Sequence, residues 1–183
     1  MKKEIFNEKF FLKLEDNVKK FHELFSFNHL KSEMLEEIIS KSMNHIEHEW
    51  ECYSHNSKYD IKISDFTIQV KSGKIDKKGE KLTISSFRST KYNTIEKKIN
   101  FFEENSSDII LSMVFNDVKK EYSIFLIDKK TISYRKEWIK TKGGYSYKDG
   151  KVDMKIAHSM SDQLWLDIYI KKLDINPVWK IKI

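Results

Sequence analysis

Apolar residues recur along this chain with two periods. Phe10, Phe11, Leu14, Val18, Phe21, Leu24 and Phe25 fall at helical spacing. This predicts an amphipathic helix over about Asn7 to Phe25, with its aromatic stripe facing a core. A second helix is predicted from Ser32, an N-cap residue type, with Glu33, Glu36 and Glu37 near its positive end. Its buried stripe is Leu35, Ile38, Ile39, Met43 and Ile46, and Glu36 and Glu47 lie on one edge of that stripe.

Between Tyr59 and Gly73 the period changes to two. Tyr59, Ile61 and Ile63 alternate with Asp60 and Lys62, and Phe66, Ile68 and Val70 alternate with Thr67, Gln69 and Lys71. Two strands with one buried face are predicted, joined at Ser64-Asp65. With those two residues as the loop, cross-strand partners sum to 129. Asp60 then faces Gln69 on the polar side, with Cβ atoms roughly 5 Å apart, and Lys71 follows two residues along. A carboxylate, a carboxamide oxygen and an ammonium so placed have the geometry to hold a divalent cation and a water beside a phosphate.

The same reading places a strand at Glu49 to Tyr53, a basic loop at Lys74 to Lys81 and a strand at Leu82 to Ser86. A hydroxyl-rich basic segment runs from Ser85 to Lys91. A third helix spans Asn93 to Glu104, with Ile95, Ile99 and Phe102 inward and Glu96, Lys97 and Lys98 outward. Ile109 to Phe115 and Tyr122 to Ile127 are apolar enough for strands covered on both faces. Beyond them, Tyr145 to Ile156 predicts a hairpin turning at Asp149-Gly150, Ala157 to Gln163 a loop, Leu164 to Ile170 a strand, and Val178 to Ile183 a terminal strand. The element order predicts an α/β fold, a mixed β-sheet flanked by helices, with a C-terminal β extension.

At 183 residues the chain is expected to form a single domain, and 39% hydrophobic with 13% aromatic residues excludes a disordered chain. A net charge of +6 favours a polyanionic partner, although the lysines are spread along the whole sequence. Cys52 is the single cysteine, so a disulfide framework and a multi-thiolate metal site are excluded. The charged start MKKEIFNEKFF lacks the apolar core of a signal peptide, and no apolar run reaches membrane-spanning length. A cytoplasmic protein with no membrane partner is expected.

The arrangement Asp60, then Gln69-Val70-Lys71, resembles the PD-(D/E)xK nuclease motif in the variant where Gln replaces the second acid, found among type II restriction endonucleases and Mrr-like nucleases. The similarity covers about residues 31–128: a Glu-bearing helix before the hairpin, Ser72-Gly73 after the lysine, then a strand, a helix and two apolar strands. Ile84 to Phe102 also looks like the segment that follows the motif in small restriction endonucleases. Tyr59 stands where the motif has Pro. Gln69 can ligate Mg²⁺ without contributing charge, so another carboxylate is required.

The resemblance implies a restriction-endonuclease-like core at 31–128, with 129–183 serving recognition or dimerisation. It implies Mg²⁺-dependent, site-specific hydrolysis of double-stranded DNA by a homodimer. Asp60, Gln69 and Glu36 would hold the metal, with Glu47 and Glu51 as rivals to Glu36. Lys71 would orient the attacking water and stabilise the transition state, leaving a 5′-phosphate. Lys74, Arg88, Ser89, Thr90 and Lys91 would grip DNA phosphates, and loops at Lys140 to Lys151 and His158 to Gln163 offer base-reading groups.

The competing readings are a nicking, repair or junction nuclease of the same fold, a non-catalytic DNA-binding protein, and a basic interaction module whose hairpin is purely structural. No zinc motif, phosphate-binding glycine loop or serine elbow is present. His45, His48 and Cys52 read as ordinary residues near a helix end.

Overall fold

The computed structural model describes residues 2–25, 29–30, 32–50, 59–134 and 137–183. Along the chain come α1 (Lys2–Ile5), α2 (Glu8–Leu24), α3 (Ser32–Ser42), β1 (Glu49–Trp50), β2 (Ile61–Ile63), β3 (Phe66–Ile75), β4 (Lys81–Arg88) and α4 (Ile95–Glu104). These are followed by β5 (Ile109–Asn116), β6 (Glu121–Asp128), β7 (Ile139–Thr141), β8 (Gly144–Tyr147), β9 (Val152–Ala157), β10 (Gln163–Tyr169) and β11 (Trp179–Lys182). The protein is α/β with a large mixed β-sheet, as the element order predicts. No helix among the described residues is long and apolar enough to cross a membrane.

The chain groups into two compact units. The first comprises Met1–Ser72, Ser107–Leu126 and Pro177–Ile183, the second Gly73–Ser106 and Ile127–Asn176. Residues 31–128 and residues 129–183 each contribute to both units.

In the first unit the strands lie in the order β11, β6, β5, β3, β2, β1. The β3–β5 pair is parallel, with Val70 beside Leu111 and Lys71 beside Ser112. Phe10, Leu14 and Val18 of α2, Leu35 and Ile39 of α3, and Met43 just after it pack into one core with Ile61, Ile68, Val70, Ile109, Leu111 and Ile124. Each such side chain, once fully buried, contributes about 1.5–3 kcal/mol. Asn7 caps α2 by accepting the Phe10 N–H at 3.0 Å. Phe11 stacks on Trp179 with centroids 5.3 Å apart, while the Trp179 indole donates to Glu15 at 3.1 Å. Tyr122 OH accepts the Leu30 N–H at 2.8 Å, and burial pushes its phenol up to about 12. Leu24 and Phe25, placed in the buried stripe by spacing alone, are exposed.

The second unit is an antiparallel sheet in the order β4, β10, β9, β8, β7, with the end of β3 beside β4. Alternation runs through these strands. Leu82, Ile84, Val152, Met154, Ile156, Leu164, Leu166 and Ile168 are buried, with Ser86 on the same face, and the residues between them are at least partly exposed, until Ala157 breaks the pattern at the end of β9. The expected hairpin with Gly150 in its turn is present as β8 and β9. Gly144 has no alternative there, since a Cβ would sit 1.8 Å from Ile156 O.

Several elements differ from the sequence expectation. Strand β3 continues to Ile75, so Lys74 stands in a strand and not in a loop, because β4 supplies a hydrogen-bonding partner from Gly73 onward. Of the strand expected at Glu49 to Tyr53, Glu49 and Trp50 are seen, and the remainder lies outside the described residues. Gln163, expected in a loop, opens β10. Lys98, expected on the outer face of its helix, is 2% exposed. Its ammonium donates to Ser89 O at 3.0 Å and to Tyr92 O, and pairs with Asp162 at 3.0 Å. Three oxygens replace the water that this charge gave up, which is the condition for burying it.

Lys98→Ala is therefore expected to destabilise the protein by about 3–5 kcal/mol by leaving Asp162 and two carbonyls without their donor. Lys97→Ala, at an exposed position, is expected to change stability by less than about 0.5 kcal/mol. Urea denaturation of the two variants checks this.

Candidate active site

The hairpin forms in the expected register. Ile61 faces Ile68, Lys62 faces Thr67 and Ile63 faces Phe66, with Ser64 and Asp65 as the turn. Strand pairing stops at Ile61, and Asp60 takes over. Its N–H donates to Ile68 O at 3.0 Å, and its Oδ2 accepts the Val70 N–H at 2.6 Å. Lys71 Nζ stands 3.4 Å from the same oxygen. The two side chains are 18% and 21% exposed, so the pair is partly desolvated and held by a short charge-assisted bond from the backbone.

Gln69 departs from the simple alternation. It belongs to the polar set by sequence but is 4% exposed. Beside it on β5 is Ile110, also buried, and the run Ile68-Gln69-Val70 is buried throughout. A strand segment covered on both faces loses the polar–apolar contrast that periodicity relies on.

Glu36 comes to the same place from α3. Its carboxyl is raised from 4.5 to about 7, first by burial and then by repulsion from Asp60, against a weaker pull from Lys71. Its charged neighbours thus include Asp60 and Lys71 of the predicted site, together with Glu33 of its own helix. Of its rivals, Glu47 is exposed and Glu51 lies outside the described residues. Asp65 is exposed at the turn. His48 bonds to Ser40 Oγ at 2.9 Å and Ile46 O at 2.8 Å, consistent with a structural role; Cys52 lies outside the described residues.

The predicted phosphate-gripping residues belong to the second unit. Lys74, Arg88 and Lys91 are exposed. Lys91 holds its ammonium 5.2 Å from the ring centres of both Tyr92 and Phe101. Ser89 is fully buried and donates its hydroxyl to Asp162 O at 2.9 Å, which leaves no surface for a phosphate. Thr90 is exposed but donates its hydroxyl to Ser161 O at 2.7 Å. The hydroxyl-rich segment thus spends these two side chains on its own loop.

Sequence reasoning missed Ser112. It sits beside Lys71 across the β3–β5 pair, is fully buried, and its Oγ has no hydrogen-bond partner among the described residues. The signal was a lone hydroxyl within the apolar run IILSMVF.

Among the described residues, no group of three or more His, Cys, Asp or Glu side chains is gathered to hold a metal. What the structure brings together is the carboxylates of Asp60 and Glu36, with the Lys71 ammonium beside Asp60. Carboxylate oxygens suit a hard divalent cation such as Mg²⁺. No protein-family model, curated protein or solved structure matches the chain.

The Glu36 shift sets a pH dependence. Between about pH 4.5 and 7 the unfolded chain ionises Glu36 while the folded chain keeps its proton, so stability falls as pH rises through this window. Glu36→Gln removes that loss. In EDTA its stability relative to wild type is expected to grow across this window, reaching up to about 2 kcal/mol above pH 7 after allowance for solvent screening. Below pH 4.5 the pH-dependent gain vanishes. Urea denaturation at a series of pH values measures it.

Proposed function

We propose that the protein is a Mg²⁺-dependent DNA endonuclease of PD-(D/E)xK type, in the type II restriction class, acting on double-stranded DNA as a homodimer with one such site per strand. The observation that carries the reading is the convergence of Asp60, Lys71 and Glu36 around one hairpin, with Lys71 Nζ 3.4 Å from Asp60 Oδ2 and the Glu36 carboxyl raised by its neighbour. The match of the observed register to the spacing of the motif supports it, as does the net charge of +6.

Asp60, Glu36 and Gln69 are the residues that would hold Mg²⁺. When bound, the ion supplies positive charge to the scissile phosphate and lowers the pKa of a water. The remaining chemistry belongs to the chain. The Val70 N–H fixes the Asp60 carboxylate, so that this ligand does not reorganise during turnover. Lys71 carries a positive charge next to that carboxylate, where it can orient the attacking water and neutralise charge on the phosphoryl oxygens. Water adds to phosphorus, the bond to the 3′ oxygen breaks, and the leaving oxygen takes up a proton. The products are a 3′-hydroxyl and a 5′-phosphate.

Purified protein incubated with plasmid and phage DNA in Mg²⁺ is expected to yield discrete fragments, and EDTA to abolish them. Lys71→Ala is expected to slow cleavage about a hundredfold or more while DNA affinity in EDTA is retained. Intact DNA in Mg²⁺ and Mn²⁺, with binding retained, would replace the hydrolase with a DNA-binding protein.

A further inference from the structure

The outer face of the antiparallel sheet in the second unit carries a second polar site. A cavity of about 500 Å³ opens there, walled in part by Trp165, Tyr169 and Tyr147. The register explains its composition. Trp165 on β10 lies between Ser85 on β4 and Lys155 on β9, and Asp167 lies between Thr83 and Asp153. These positions alternate with the buried Leu164, Leu166 and Ile168, so all of them project to the same, uncovered side.

The acids of the cavity are already engaged. Asp167 accepts from Lys81 at 2.9 Å and from Thr83 at 2.5 Å. Asp153 accepts from Tyr169 OH at 3.1 Å and from the N–H groups of Asp149 and Gly150, each at 3.0 Å. Two groups are left to receive a ligand. Lys148 and Lys155 line the cavity, are exposed, and make no ion pair among the described residues. The Trp165 indole N–H is buried, so this residue offers the cavity its ring surface and not its donor.

Aromatic walls take the face of a planar ring, and two lysines take a phosphate. A nucleotide combines both. The volume admits one such unit and excludes a base-paired duplex. We propose that this cavity seats a single nucleotide of an unpaired DNA strand, with the base against Trp165 and the phosphate at Lys148 and Lys155. The choice of DNA rests on the endonuclease reading; the site itself does not require that reading.

Fluorescence anisotropy in EDTA tests it with three probes: a labelled mixed-sequence single strand, the duplex of the same sequence, and unlabelled deoxynucleoside monophosphates as competitors. The single strand is expected to bind more tightly than the monophosphates. Trp165→Leu and Lys155→Glu are each expected to weaken its binding at least about fivefold, with the charge-matched Lys97→Glu unchanged. Lys155→Glu alters an exposed side chain, so its result stands even if Trp165→Leu fails to fold. Single-strand binding unaffected by Lys155→Glu, or absent from the wild type, overturns the proposal. Monophosphates binding as tightly as the strand overturn the strand as occupant in favour of a free nucleotide. The two readings fail separately: intact duplex cleavage alongside indifferent cavity variants removes only the cavity, and absent cleavage alongside cavity-dependent single-strand binding removes only the hydrolase.

Discussion

A backbone N–H in the middle of a strand is bonded to a side chain. Beyond Ile68, the β2-facing edge of β3 has no strand partner among the described residues, because β2 begins at Ile61. An unsatisfied N–H at a half-buried edge is costly, and the Asp60 carboxylate meets the need at Val70. The rest of the site follows from that bond. It orients the carboxylate, sets the position from which Lys71 can reach it, and holds a negative charge where Glu36 of α3 feels it. Had β2 begun two residues earlier, a carbonyl could have taken the Val70 N–H, and Asp60 would have been free to turn toward solvent.

The charge balance at this point is uneven. Two carboxylates face one ammonium in a partly desolvated pocket, and burial weakens the solvent screening that would otherwise make both acids comfortable. The imbalance falls on Glu36 because Asp60 already has two donors, the Val70 N–H and Lys71. A structural ion pair would be expected to balance its charges. Beside the lysine, the Ser112 hydroxyl has no hydrogen-bond partner among the described residues, so this corner of the first unit carries more unmet charge and polarity than a closed ion pair would.

The second unit solves the same problem differently. Lys98 is deeply buried but fully supplied with acceptors, so its charge is structural. The same network joins Ser89 and Thr90 to Ser161 and Asp162, both of which have φ in the left-handed region, and His158 bonds to Asp162 as well. Loop residues that look like phosphate ligands when read singly are here the fastening of a loop. By contrast, Lys148 and Lys155 on the outer sheet face make no ion pair among the described residues. A hydroxyl-rich stretch can therefore be consumed by the hydrogen bonds of the fold itself.

By itself the sequence determined what local patterning can determine. The period of 3.6 placed α2 and α3 and their buried stripes, the period of two placed the β2–β3 hairpin, and Ser64-Asp65 set its register, so Asp60 and Lys71 could be brought to one side without knowing the fold. Glu36 was legible as a candidate, because a helix glutamate before the hairpin completes the motif, but Glu47 on the same edge was indistinguishable from it. Tertiary structure alone separated their burial, since exposure depends on what packs across a helix and not on its periodicity. It likewise decided the burial of Gln69 and Lys98, the extension of β3 through Lys74, and the neighbour Ser112. Each of these rests on contacts between segments remote in sequence: β5 against β3, β4 against the end of β3, and Asp162 against Lys98. No local pattern encodes such contacts, because the partner that changes a residue's environment is not among its neighbours along the chain.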